Sequence, residues 1–493
     1  MPIDPRTPVI IGVGQFVNRV DDGDDLRSPD ALMVEALRVA EQDAGSPGCS
    51  ARADVIGAVP VMTWRYKDPG RLVADAVGAT TAATWYPAIG GNTPQMLVNK
   101  IAANIADGTI DLGVVVGAES GRSRSVAKKT EQSIDWPRQP DDVAPSWDEG
   151  APFLMGHPSE MAQGILMPTH AYPLFENALW HHSGRTLSDH LQFIGELWSG
   201  FSKVATTNPY AWRPEFFSPS EITTPTPENR MVGFPYTKRM VANPDVDMAS
   251  ATIVCSADRA AALGVPKDQW VFVHSGTDGK DRGMSERLNF TSSPAIGIAG
   301  NLALELADVT VDEVAHIDLY SCFPSAVQLA MSELKISADR QLTVYGGLCF
   351  AGGPWNNPVG HAIATMVGVL RNDAGSVGLV TANGGHVDKH AFGVYSTSPP
   401  VGGFRHARPQ ELIDAAGGRE VAEGFAGHAT IETWTVMFER DGSPGRAHAA
   451  CLTPAGERLW AVSTNPELME LGTNSDLVGT QVNVSADGIM TLG

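Results

Sequence analysis

One arrangement of residues occurs twice in this chain, and it restricts the possible fold more tightly than anything else in the sequence. In residues 84–117 a short apolar run, 84–88, reaches Gly90-Gly91; a helix opens at Pro94 with Met96, Leu97, Ile101 and Ile105 on one face, and a second apolar run follows at 112–116. Residues 342–385 repeat the order: a run at 342–345, a turn holding Gly346, Gly347, Gly352 and Gly353, a helix from Pro358 with Val359, Ile363, Met366 and Leu370 in phase, and a run at 377–381 ending in Ala382-Asn383-Gly384-Gly385. Apolar residues at helical spacing predict helices, and short runs bounded by glycine predict strands. Two such copies predict duplicated α/β units around a largely parallel sheet, whose sites lie at the carboxyl ends of strands. The second glycine turn is the first candidate site. Asn357 and Pro358 read as N-cap and first helical residue, and a glycine loop at a helix N-terminus offers free N–H groups to an anion or oxyanion. The plainer alternative is a tight turn inside a packed sheet.

The other segments fit around these units. Runs at 9–13, 55–61, 252–255, 270–273 and 316–320 read as strands, and Ser28-Pro29, Pro69, Ser293-Pro294 and Pro324 open helices. Gly12-x-Gly14 lacks the third glycine of a dinucleotide fingerprint, so no Rossmann cofactor site is expected. Residues 121–240 break the rhythm: rich in Pro, Trp and polar residues, with helical periodicity only across 174–204, they read as an excursion over one face. Arg122, Arg124, Lys128 and Lys129 form the densest basic cluster there, which is more simply solvated surface than a phosphate site. Past Pro399, runs at 430–439, 446–453, 457–463, 478–484 and 489–492 are separated by Asp441-Gly442, Pro454-Ala455-Gly456 and Asp487-Gly488, which predicts a small antiparallel β-barrel or meander. The expected division is two α/β halves at 1–265 and 266–396, a linker at 397–414 and an added β domain at 415–493.

Composition removes several function classes. A net charge of -21 over 493 residues, with pI ≈ 5.0, argues against a broad nucleic-acid or anionic-membrane face, though a local patch could still meet a phosphorylated small molecule. Cys49, Cys255, Cys322, Cys349 and Cys451 are scattered without CxxC spacing, so neither a disulfide framework nor a zinc site is expected. His170 and His181-His182 have no partner at ligand spacing, and no metal site is expected from them. No basic-then-apolar leader and no membrane-length apolar run stand out, so the expectation is a cytoplasmic protein without membrane insertion.

The stretches at 112–119, 318–323, 346–354 and 381–385 together resemble the thiolase superfamily, in particular the sterol-carrier-type thiolases and the actinobacterial thiolase-like proteins commonly labelled acetyl-CoA acetyltransferase, over roughly residues 5–396. The resemblance implies two duplicated halves in α-β-α-β-α layers, with a loop excursion from the first half. It also implies four catalytic loops, and each departs from the family here. The nucleophilic Cys-x-Ser loop falls on Gly91-Asn92-Thr93; the Asn-Glu-Ala-Phe or His-Asp-Cys-Phe loop on Tyr320-Ser321-Cys322-Phe323; the Gly-His-Pro loop on Gly352-Gly353-Pro354; and the Cys-x-Gly loop on Ala382-Asn383-Gly384. A Gly156-His157-Pro158 tripeptide lies in the excursion and reads as coincidence.

Acyl transfer through a thioester needs a nucleophile, a base and a proton shuttle. With glycine or alanine at Gly91, Gly353 and Ala382, that chemistry is expected to be absent. Tyr320, His361, Cys349 and His386 are the remaining candidates for catalysis, with Gly90, Asn92, Gly352, Asn383 and Gly384 as ligand-binding backbone or side chains. Cys322 and Cys349 also read simply as small buried apolar residues. The resulting expectation is a thiolase-like protein that holds an acyl-CoA or lipid-type small molecule, with no covalently bound cofactor. Two alternatives remain open: a carbon–carbon lyase (retro-aldol) or acyltransferase using Tyr320 and a nearby histidine, and a non-catalytic scaffold that meets a protein partner through the C-terminal β domain.

Overall fold

The computed structural model describes residues 3–21, 25–149 and 156–493, and the duplication is plain in its sheet. Pro8–Val17, Asp247–Ser256, Leu112–Ser120, Val55–Ala58 and Ala83–Tyr86 lie side by side in that order, and Val271–Lys280, Lys389–Ser396, Val377–Gly384 and His316–Asp318 repeat the first four. Strand sense repeats too: in each half the first two pairings are antiparallel and the third is parallel. The halves join where Val9 and Ile10 pair with Phe272 and Val271.

Helices Thr93–Ala106 and Pro358–Asn372 pack on each other and on strands of both halves. A helix enclosed on every side must bury whatever polar groups it carries, and these must then be hydrogen-bonded. Gln95 accordingly donates to Asn99 (2.9 Å) and accepts from the Tyr395 hydroxyl (2.8 Å), while Asn99 donates to the carbonyls of Thr277 and Phe392. Pro29–Asp43 and Pro294–Leu306 cover the outer faces, completing the layered α-β-α-β-α arrangement.

Three expectations change. The run at 342–345 forms no strand ladder, because the buried Asp318 carboxylate takes its donors: Oδ2 accepts from Val344 N (2.9 Å), Tyr345 N (3.0 Å) and the Thr343 hydroxyl (2.8 Å). The excursion is more ordered than expected, with helices Pro168–Ser183 and Leu187–Ala205 separated at Gly184, whose φ of 65° ends the first. A hairpin of Met231–Gly233 and Tyr236–Thr237 follows. The C-terminal region contains a helix, Pro466–Asn474, that strand patterning passed over; its local signal was Asn465-Pro466, with the Asn465 side chain accepting from Glu467 N at 2.8 Å.

That region is a closed small barrel. Gly427–Phe438 pairs with Pro444–Leu452 and Gln481–Val484, Pro444–Leu452 with Arg458–Ser463, and Gln481–Val484 with Met490–Leu492, while a parallel bridge from Val462 to Ile489 shuts the ring. Five strands in this order, with a helix between the third and fourth, make an OB-type barrel. It is fused to the rest: its core includes Trp180 and Phe234 of the excursion, and Met437 pairs with Gly233. The segment expected as a linker also supplies Arg405–Ala407, which pairs with Val271–Lys280.

The outer edge of the first half is covered. Trp147–Asp148 pairs with Ala83–Tyr86, and the Lys100 ammonium lies 5.0 Å from the Trp85 ring centre and 4.5 Å from that of Trp147. An open edge strand is a template for pairing with another chain, and ending the sheet in a two-residue strand blunts it. The chain is therefore expected to sediment as a single 52.3 kDa species at micromolar concentration; a dimer mass would refute this.

Candidate functional site

The loops that follow strands Ala83–Tyr86, His316–Asp318 and Val377–Gly384 converge on one cavity of about 400 Å³. Gly90, Gly91, Tyr320, Asn383, Gly384 and His386, all singled out in the sequence, line it. At its centre is a contact the sequence did not reveal. A methyl group added at Gly91 would overlap the Tyr320 hydroxyl and the Asn383 carbonyl oxygen, so the phenol occupies the space that a side chain at 91 would need. Gly384 is close-packed in the same way against Asn92, Gly90 and Gly91. Here glycine permits the approach of two loops.

Polar atoms without partners gather around this cavity. On the lining, Asn383 Oδ1 and both ring nitrogens of His386 are buried and make no hydrogen bond among the described residues; Asn92 Oδ1, also without a partner, is off the lining, packed against Gly90 and Gly384. Buried polar atoms are rarely left so, and several of them share this cavity. Asn383 Nδ2 donates to the Tyr172 hydroxyl (3.0 Å), and the Tyr172 ring stacks on Phe323 at 4.5 Å. Burial pushes the Tyr320 phenol well above its usual range, with the Cys322 thiol adding to the effect. Cys322 also lines the cavity, but burial pushes its thiol up to about 12, and its hydrogen-bonding neighbour is Tyr172 rather than an imidazole.

Burial lowers His386 to about 4, against a smaller opposing pull from Asp388. From about pH 6.5 down to 4 the unfolded chain takes up a proton here that the folded chain does not, so this residue's contribution to stability falls as pH falls. His386→Gln is expected to flatten the acid side of the stability profile, by a slope that approaches ~1.4 kcal/mol per pH unit at pH 5, measured from urea midpoints between pH 7 and 5. An unchanged slope would show that the imidazole is not held neutral.

The other sequence candidates lie away from the cavity lining. His361 is fully buried, with Nδ1 2.8 Å from Gln15 Oε1 and its ring stacked on Tyr345, and burial lowers it to about 3. Cys349 Sγ accepts from the Trp198 indole at 3.1 Å, and burial pushes its thiol up. Neither lines the cavity: His361 packs against Gln15 and Tyr345, and Cys349 against Trp198 of the excursion. Ala382 is buried within its strand, opposite Ala391.

The glycine turn proves to be packing rather than an anion site. Gly346 and Gly347, at φ of 103° and 79°, pass against Ala205 and Phe201, and Gly352, at 116°, passes against Met248. Gly353 donates its N–H to Asn243 O at 2.9 Å. Asn357 makes no side-chain cap; instead its amide donates to Gly117 O (2.9 Å), and its oxygen accepts from the Ser250 hydroxyl. Of this stretch only Trp355 and Asn356 reach the cavity. The basic cluster is dispersed, with Arg122 on Asp21 and Val20 O, and Arg124 on Thr63 O.

Sequence reasoning missed the contributions of distant segments. Tyr172, Ser285, His157 and Glu160 also line the cavity. Only His157 had a visible signal, the Gly-His-Pro tripeptide that read as coincidence; the structure places it on the cavity, with Nδ1 2.7 Å from the Ser159 hydroxyl. Among the described residues no group of His, Cys, Asp or Glu is arranged to hold a metal ion, and no helix is long and apolar enough to cross a membrane.

Comparison with known proteins agrees with this architecture. Residues 409–489 match the family described as the thiolase-like protein type 1 additional C-terminal domain. Among solved structures, the monomeric SCP2-thiolase like protein type 1 from Mycobacterium smegmatis is 31% identical over 100% of both chains, with a TM-score of 0.85. The Ltp2-ChsH2(DUF35) aldolase (18% identity, 80% of this chain and 99% of that one, TM-score 0.60) and the dimeric peroxisomal thiolase of Saccharomyces cerevisiae (14%, 80% and 98%, 0.57) share the fold. No protein of curated function matches in sequence. With a duplicated α/β body, a barrel fused at its C-terminus and full-length similarity at this level, the chain belongs to the SCP2-thiolase-like proteins of type 1, in the thiolase superfamily.

Proposed function

We propose that the cavity binds an acyl-CoA ester or a lipid-type acyl ligand without thiolase turnover. The observation that carries this reading is the state of the nucleophile position: Gly91 offers no side chain, and the Tyr320 hydroxyl fills the space one would take. Gly353 packs against Asn243, away from the cavity, and the one thiol on the lining, Cys322, is held neutral at physiological pH. A nucleophile, its base and a proton shuttle are needed together, and the loss of all three leaves binding and backbone donors. A volume of about 400 Å³ falls within the range of small-molecule sites.

Titration calorimetry with CoA, acetyl-CoA and a long-chain acyl-CoA tests the reading. Saturable binding is expected, with acetoacetyl-CoA thiolysis at background. Absence of binding to all three ligands would sink it, as would thiolysis at enzyme-like rates.

A second reading, retro-aldol cleavage of a β-hydroxyacyl thioester, is favoured by the unpartnered His386 ring and the Tyr320 phenol on the same cavity. One of the structurally similar proteins is an aldolase, although at that identity only the fold is shared. In such a step a base removes the β-hydroxyl proton, the Cα–Cβ bond breaks to release a carbonyl compound, and the thioester enolate takes a proton at Cα. Tyr320→Phe should then abolish cleavage while leaving ligand binding in place; undiminished cleavage would remove Tyr320 from the mechanism.

A further inference from the structure

Part of the cavity wall comes from segments that carry none of the family loops, residues 156–160 and 283–286. Glu160 is fully buried there. Its Oε1 accepts from Ser285 N (3.0 Å) and from the Ser285 hydroxyl (2.6 Å), while Oε2 has no partner among the described residues. A carboxylate left unpaired in this way would be expensive, and a carboxylic acid much less so. Burial raises the pKa of Glu160, and the Ser285 bonds offset this only in part. Oε2 is the carboxyl oxygen whose hydrogen-bonding capacity is left unused. Glu160 and Gly156 both line the cavity, and a methyl group added at Gly156 would run into Oε2, so glycine at 156 is what lets the carboxyl lie against this wall.

What holds Glu160 in this attitude traces back to the C-terminal barrel. The Ser285 hydroxyl, which donates to Glu160, accepts from the indole N–H of Trp460 at 2.8 Å. The neighbouring carbonyls of Met284, Ser285 and Arg287 accept from the fully buried Arg458, whose guanidinium is also paired with Glu432. Arg458 and Trp460 lie on the barrel strand Arg458–Ser463, and no residue of the barrel itself lines the cavity.

We propose that Glu160 is a ligand-contacting acid of this site, donating a hydrogen bond from Oε2 to the carbonyl oxygen of the bound acyl group, and that the C-terminal barrel positions it through Trp460 and Ser285. The inference rests on the reading that the cavity takes an acyl thioester. It gives the added domain a role at the site that needs no protein partner.

The test compares acetyl-CoA with free CoA, which lacks the carbonyl, by calorimetry on the full chain. Glu160→Ala and Trp460→Phe are each expected to weaken acetyl-CoA about tenfold and to leave free CoA unchanged, the size of one hydrogen bond. Glu160→Gln keeps a neutral donor and should recover most of the loss. Unchanged acetyl-CoA affinity in Glu160→Ala overturns the contact, and equal losses for both ligands overturn it in favour of a structural role. If wild-type protein binds neither ligand, the underlying reading fails and the inference goes with it. Should Glu160→Ala not fold, Trp460→Phe carries the test, since it removes the indole donor and keeps an aromatic ring in the core.

Discussion

Arg458→Met is expected to lower the stability of this protein by ~3–5 kcal/mol, the largest effect of any single substitution considered. The side chain is fully buried, and it satisfies Glu432 through two 2.7 Å bonds while donating to the backbone of the 284–288 segment. Methionine fills much the same volume but leaves the mostly buried Glu432 carboxylate with only Arg419, 3.8 Å away, and strips donors from the carbonyls of Met284, Ser285 and Arg287. A buried group stripped of its partner loses the full worth of its desolvation, which is why breaking such a cluster costs more than any one bond in it contributes. Urea unfolding of wild type and variant measures the difference. A loss below ~1 kcal/mol would show that water reaches these groups. Replacing Glu432 by Gln in the same background should recover part of the deficit, because a buried charge held only by the more distant Arg419 would be gone.

Putting the missing nucleophile back is expected to fail. In Gly91→Cys the new Cβ collides with the Tyr320 hydroxyl and the Asn383 carbonyl oxygen, and backbone cannot swing aside as a flexible side chain can. Overpacking of this kind costs about 1–3 kcal/mol. Thiolysis of acetoacetyl-CoA should stay at background, because a thiol without a base is a weak nucleophile at neutral pH. Adding Gly353→His does not complete the site: a side chain there starts within 3.2–3.3 Å of Ala242, Asn243 N and Leu348 O, at a position that does not line the cavity. Recovery of enzyme-like turnover in either variant would mean that the loops rearrange readily, and the binding-only reading would have to be abandoned.

The parts of this architecture that were legible in advance are those set by local rules. Proline at the first helical position, glycine at the turns and apolar spacing marked both central helices, and the strands that follow them, Leu112–Ser120 and Val377–Gly384, take equivalent places in the two halves. Failures came where a distant group competes for the backbone. Residues 342–345 have the composition of a strand, but the Asp318 carboxylate captures their N–H groups before a neighbouring strand can. Asn357 has the sequence of a cap, and its side chain is drawn across to Gly117 and Ser250.

The sequence by itself determined the duplicated α/β body, the barrel at its end and the identity of the side chains at the loop positions, because periodicity and chain order are carried by residues close to one another. Which of those side chains share a cavity was decided only by tertiary structure. His361 and Cys349 sit on the same turn and helix as the candidate loop yet face the interior, whereas Tyr172, Glu160 and Ser285, from three separate segments, are brought to the lining. Contacts between segments more than a hundred residues apart depend on how whole layers stack, and no local spacing in the chain encodes that.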